Sequence, residues 1–217
     1  MNWTGPDGHA YAIILDKDVY RPSDDTFLLA KAVHAHVRPG ERFLEVGCGS
    51  GLVSLVAARA GANVTACDLN PHAVLAARRN ATENRSHITV VESDLIAAVT
   101  GPFDVVAFNP PYLPTGPGEV LPGPLNLAFD GGPDGNATVL RFAEQVGRLR
   151  PLPRLILVVH SSLADPKPLE GALAGLGYAC SVVAEESHFF ERLTVRGFSH
   201  RGQIQRSAES RDAHIAD

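Results

Sequence analysis

Short apolar runs alternate with helical patterns along most of the chain, and that rhythm limits the fold more than any other feature. Segments 42–46 (RFLEV), 62–68 (ANVTACD), 87–93 (HITVVES), 103–108 (FDVVAF) and 153–162 (PRLILVVHSS) read as strands. Segments 51–61, 71–84, 136–149 and 165–177 read as helices, the second with proline in its first turn. Strand and helix in alternation predict a parallel sheet covered on both faces. The last two apolar runs, 178–186 and 191–198, lie too close for a crossover helix and predict an antiparallel pair. Ahead of them, 22–37 predicts a helix capped by Ser23, with Asp24 and Asp25 favoured by the dipole of its first turn.

The expected organisation is one α/β domain over residues 1–199, with a lead-in segment at 1–21 and a polar, disordered tail at 200–217. Residues 109–133 are rich in proline and glycine without a period, and so long a loop is usually functional or disordered. The net charge of −5 argues against a protein held to nucleic acid mainly through phosphates. Cys48, Cys67 and Cys180 are scattered, with no CxxC, so neither a disulfide framework nor a metal site is expected. No basic start precedes an apolar run, and no apolar stretch is long enough to span a bilayer. A cytoplasmic protein without membrane attachment is the expectation.

Two stretches carry chemistry. FLEVGCGSG places Gly47, Gly49 and Gly51 between a strand and a helix, as many nucleotide-binding folds do. Glu45 discriminates among them, because an anionic pyrophosphate wants no acid nearby whereas a cation does. Asp68 ends the second strand, where a carboxylate can hold two ribose hydroxyls. Asp94 follows the third strand, where it could accept from an adenine amine. Each acid read alone is equally a cap or a solvated loop residue. Together they line the carboxyl edge of the sheet and suit an adenosine bearing a sulfonium and an ammonium, as in S-adenosylmethionine.

The second stretch is FDVVAFNPPY. A strand breaks at Asn109 into two prolines and Tyr112. Asn109 offers a side-chain carbonyl and Pro110 a backbone carbonyl with no competing donor. Two acceptors on a stiff turn suit a planar NH2 group, with Tyr112 as a flat face beneath it. A plain strand stop with an Asn-Pro turn is the bland alternative.

With these motifs in view, the chain resembles class I S-adenosylmethionine-dependent methyltransferases of the HemK/PrmC type, through EVGCGSG, CDLN, ESDL and FNPPY in order and spacing. AFDGGPDG (128–135) resembles the glycine-rich segment that follows NPPY in that family. VYRPSDDTFLL (19–29) resembles the short form that acts on eukaryotic and archaeal release factors. The resemblance implies a Rossmann-like, seven-stranded, mostly parallel sheet with one antiparallel strand. It implies cofactor contacts from Thr26, Glu45, Gly47, Gly49, Gly51, Asp68, Leu69, Asp94, Leu95 and Asn109. Asn109, Pro110 and Tyr112 would be catalytic, and with Pro111 they would hold the substrate amide. The implied substrate is a glutamine of a protein such as a translation release factor. A small zinc-binding activator at the edge of the third strand is a further implied partner.

Alternatives remain at this level. NPPY also serves amino-methylation of adenine or guanine in RNA or DNA, and of small amines or amides. A non-catalytic binding module is a third class, against which the retained Glu45, Asp68 and Asn109 argue. His34 and His36 are two apart on a helix and face different sides. His160, after the fifth strand, reads as either a substrate contact or a hydrogen-bonded structural residue, and Cys48 as small packing within the glycine loop.

Overall fold

The structure is a computed structural model of the chain, describing residues 1–116 and 123–202. The tail expected to be disordered falls, from residue 203 on, outside the described residues, as does 117–122 of the long loop. A short antiparallel hairpin, β1 (Asn2–Thr4) and β2 (Ala10–Ala12), opens the chain. Then come α1 (Asp24–His36), β3 (Arg42–Val46), α2 (Leu52–Arg59), β4 (Asn63–Asp68), α3 (Pro71–Glu83), β5 (Ile88–Glu92) and β6 (Val105–Phe108). A 3-10 turn at Pro124–Ala128 precedes α4 (Ala137–Val146), β7 (Leu155–Ser161), α5 (Lys167–Gly175), β8 (Tyr178–Ser187) and β9 (Arg192–His200).

The main sheet has seven strands in the order β5-β4-β3-β6-β7-β9-β8, and β9 alone runs antiparallel to its neighbours. This is the Rossmann-like, seven-stranded, mostly parallel sheet that the resemblance implied. The helices divide by face as the alternation of strand side chains dictates. Phe43, Val64, Val105, Leu155 and Leu157 meet α1 and α2 on one side, where Ala66 and Val90 also meet α3 through Val74 and Ala77. Leu44, Val106, Phe108, Ile156 and Val158 point the other way, onto Phe142 and Val146 of α4 and Leu169 and Leu173 of α5.

The lead-in segment is more structured than its composition suggested. Trp3 stacks on Phe27 of α1 at 5.1 Å, and Tyr11 and Ile13 are buried. The segment's backbone is then tied to α3: Ala12 N–H donates to Asn84 Oδ1 (3.0 Å) and Ile14 N–H to Asn80 Oδ1 (2.9 Å). Asn80 is fully buried and also donates to the Ser50 carbonyl (2.9 Å), so one side chain joins the lead-in, α3 and the glycine loop.

Ion pairs pin the opposite, amino-terminal edge of the sheet. Arg42 makes a two-point contact with Asp104 (2.9 and 2.6 Å), and Arg154 another with Glu41 (both 2.6 Å). The sheet order reverses between β3 and β6, and ligands of open α/β sheets bind outside the carboxyl ends at such a reversal.

Candidate active site

A cavity of about 420 Å³ opens at that reversal, within the range of roughly 300–1,000 Å³ typical of small-molecule sites. Its lining includes Thr26, Glu45, Gly47, Gly49, Asp68, Leu69, Asp94, Leu95, Asn109, Pro110, Pro111 and Tyr112. Of the cofactor and substrate contacts that the resemblance implied, only Gly51 does not line it.

One wall is the glycine loop. Gly51 caps α2 in a left-handed conformation (φ 81°), and a Cβ there would stand 3.1 Å from that of Ala77. Its work is to bring α2 and α3 together rather than to meet a ligand. The Gly49 N–H donates to Asp68 Oδ2 (2.8 Å) and the Cys48 N–H to the Cys67 carbonyl (3.0 Å), hooking the loop onto β4. A Cβ on Gly49 would meet nothing within 4 Å, leaving open room above the loop.

Glu45 is 4% exposed, and its Oε2 accepts from the N–H of Ser54 (2.8 Å) and from the Ser54 hydroxyl. Burial pushes its carboxyl up to about 8, the Ser54 hydrogen bonds oppose this, and the Asp68 charge adds to it. Burial also raises Asp68, against N–H donors that include Gly49 and Asn70 (2.9 Å). Two acids held above their usual range in one cavity are a site that a cation would relieve. Asp94 is placed differently from Glu45 and Asp68. It is only half-buried and pairs with Arg141 of α4, which also lines the cavity. Leu95 adopts φ 53°, and its carbonyl accepts from the Cys67 thiol (3.1 Å).

The facing wall is the NPPY turn. Asn109 Nδ2 donates to Asp25 Oδ2 (3.0 Å), and its Oδ1 is buried with no hydrogen-bond partner. Chemistry fixes this orientation, because an ionised carboxylate only accepts and so must face the NH2 end of the amide. Asp25 is 4% exposed. Its carboxylate also accepts from the hydroxyls of Tyr20 (3.0 Å) and Tyr112 (3.4 Å) and, through Oδ1, from Thr26. Asp25 looked like a first-turn acid on the surface of a helix. Its burial depends on residues 84 and 87 positions away, and no local signal reports it.

The GGPDG segment explains itself here. A Cβ on Gly135 (φ 74°) would lie 2.6 Å from the Tyr112 carbonyl oxygen, and one on Gly131 2.9 Å from that of Pro111. Leu113 N–H donates to the Phe129 carbonyl (3.2 Å) and Gly131 N–H to that of Leu113 (3.0 Å), so this segment backs the turn. His160 lies on β7 and does not line the cavity; burial and the nearby Arg196 lower its pKa. Tyr20, Arg141 and Glu191 line it without having been singled out from sequence.

Residues 22–116 match the family model described as methyltransferase small domain. The chain is 39% identical over 182 residues to a Methanocaldococcus jannaschii protein provisionally named protein N5-glutamine methyltransferase, covering 83% of itself and 91% of that protein. It belongs to the HemK-type class I methyltransferases. Another HemK-type relative, human methyltransferase HEMK2, is 38% identical over 135 residues, covering 58% of this chain and 63% of its own. Among solved structures, the E. cuniculi Mtq2-Trm112 complex, described as responsible for methylating the termination factor eRF1, matches with a TM-score of 0.68 at 22% identity. It covers 84% of this chain and 99% of that one. The T. thermophilus 16S rRNA N2 G1207 methyltransferase matches with 0.68 at 21%, covering 93% and 50%. At such identities the likeness is one of fold. The HemK-type chain is thus an S-adenosylmethionine-dependent methyltransferase, and its buried acids and open glycine loop fit that cationic cofactor.

Proposed function

We propose that the protein methylates the side-chain amide nitrogen of a glutamine in a protein, with a translation release factor as the leading candidate. The observation that carries this reading is the unpartnered, buried Oδ1 of Asn109, held in place by the carboxylate of Asp25. A buried acceptor without a donor is costly, and a substrate N–H would satisfy it. The Pro110 carbonyl is the second acceptor for the same NH2 group, and Tyr112 is the face on which the planar amide rests.

S-adenosylmethionine, when bound, supplies an electrophilic methyl on its sulfonium. Glu45 and Asp68 would offset the charge of that cofactor, Asp68 taking ribose hydroxyls. Leu69 and Leu95 would flank its adenine, with Thr26 beside the amino acid portion. An amide nitrogen is a weak nucleophile because its lone pair is delocalised. Hydrogen-bonding both of its protons and aiming it at one point does most of the work, and a strong general base is not required.

The relatives' names point to protein glutamine as the substrate class, and the overall charge of −5 favours protein over nucleic acid. A small activator subunit, like the Trm112 of the E. cuniculi complex, would add at the edge of β5, which among the described residues pairs only with β4. No described helix is long and apolar enough to cross a membrane.

The test uses methyl-labelled cofactor with an extract of the source organism, with and without Asn109→Ala. Label in protein, recovered as methylglutamine and lost in the variant, is the expected result. Nuclease-sensitive label would move the substrate to a base amine. Asn109→Ala should nearly abolish transfer while leaving cofactor affinity within about threefold, since the other cofactor contacts remain; equal loss of affinity and transfer would refute the assigned role.

A further inference from the structure

The tip of the β8–β9 hairpin has a composition that folding does not explain. Ser187 pairs with Arg192, and the His188 N–H donates to the Glu191 carbonyl (2.7 Å), leaving Phe189 and Phe190 as the two turn residues. Such turns favour glycine, asparagine or aspartate. Here two phenylalanines stand 92% and 87% exposed, their rings edge to face at 4.6 Å. The next residue, Glu191, reaches the cavity that holds Asp25, Asn109 and Tyr112. Its Oε1 is buried and has no hydrogen-bond partner. The hairpin tip therefore presents an apolar face outside the cavity and an unsatisfied acceptor inside it, within one residue of each other.

We propose that His188–Glu191 is the substrate-recognition element, with Glu191 accepting a backbone N–H beside the target amide and Phe189–Phe190 seating apolar side chains of the same polypeptide. This rests on the amide-methylation reading and names what that site recognises. The occupant is a polypeptide for three reasons. A small free amide would fill the cavity without reaching Phe189 or Phe190, which do not line it. A chain with one side chain in the cavity beside Glu191 carries its next residues only about 3.3–3.6 Å further on, within reach of the adjacent Phe189–Phe190 pair. Acids also outnumber bases around the tip: Asp24 and Glu186 face His188 at 3.8 and 3.9 Å, and Glu185 and Glu191 add to them, against Lys31 on Glu186 and Arg192 on Glu185. Nucleic acid phosphates would be repelled there, whereas neutral or basic flanking residues would be accepted.

The test measures kcat and KM of the full chain on purified eRF1-type release factor, with any required activator present. Wild type is compared with F189S/F190S and, separately, with E191Q, and cofactor affinity is measured by calorimetry. F189S/F190S should raise KM about tenfold with kcat within about twofold and cofactor affinity unchanged. E191Q should lower kcat/KM about tenfold. A wild-type KM in the double variant together with wild-type kcat/KM in E191Q overturns the inference. A double variant that only converts a dimer to monomer in sedimentation, with KM unchanged, also overturns it and assigns the face to a second copy. If the wild type methylates no glutamine in any protein, the functional reading falls and this inference falls with it; an active wild type with unaffected variants sinks this inference alone.

Discussion

Asp25 holds Asn109, Tyr20 and Tyr112 with one carboxylate, and that makes it a positioning residue with a measurable signature. Asp25→Asn removes the acceptor that fixes which end of the Asn109 amide points at substrate. A misplaced reacting group costs on the order of 10²-fold, so kcat should fall by about that factor while cofactor affinity, measured by calorimetry, stays within about threefold. Glu45 predicts a pH effect. Its carboxyl is raised by burial from 4.5 to about 8. The folded chain therefore keeps a proton that the unfolded chain has lost across that interval. The associated stability is full below about pH 4.5 and is lost as pH rises through about 8. Melting temperatures of the free protein should decline over that window, and Glu45→Gln should flatten the decline. Cofactor binding should release a proton near pH 7, visible as a buffer-dependent enthalpy. Glu45 was legible as a strand-end acid because five residues of strand and three glycines surround it. Asp25 was not, because only the folded NPPY turn shows that it is interior. Arg141 was equally hidden, lying 47 residues from its partner Asp94.

At the level of elements, the NPPY turn is shaped from behind. The spacing of glycines in 131–135 was visible in the sequence, but the reason for it was not. That reason is contact with the carbonyls of Pro111 and Tyr112. Gly135→Ala should therefore harm the site and the fold together. The left-handed backbone costs about 1–2 kcal/mol for a residue with a Cβ, and the clash at 2.6 Å forces Tyr112 to move. A melting temperature lower by roughly 3–8 °C is expected, with kcat reduced more than the change in stability explains. The strands β3 to β9 were legible because their apolar runs and punctuation agree, down to the antiparallel close. The β1–β2 hairpin was missed because two three-residue strands leave no period to read. They are held by Trp3 on Phe27, by Asn80 of α3 and by Asn84 at its C-terminal cap, all distant in sequence.

Over the whole molecule, stability and chemistry occupy opposite edges of the sheet. The Arg42–Asp104 and Arg154–Glu41 pairs hold the amino-terminal edge, while buried acids crowd the carboxyl edge where a cation relieves them. A ligand that binds only the folded state at 100 times its dissociation constant stabilises by about 2.7 kcal/mol. S-adenosylmethionine at that level should raise the melting temperature by roughly 5–10 °C. Asn80 links the distant parts. Asn80→Ala leaves the Ile14 N–H and the buried Ser50 carbonyl without their partner, at about 1–3 kcal/mol. It should lower the melting temperature by several degrees and weaken cofactor binding through the glycine loop, whereas a purely local defect would lower the melting temperature alone.

The fixed orientation of Asn109 also governs how many times the reaction can occur on one nitrogen. On the proposed reading, a primary amide would bring two protons to the turn, one for the Asn109 oxygen and one for the Pro110 carbonyl. The product brings only one. With a methyl in place of the second proton, the product nitrogen can satisfy one acceptor only, and the methyl crowds the other. Asn109 cannot turn its amide to compensate while Asp25 holds the NH2 end. On the proposed reading the turn would thus prefer starting material to product, and the modification would end at the monomethyl stage without any separate gate to stop it.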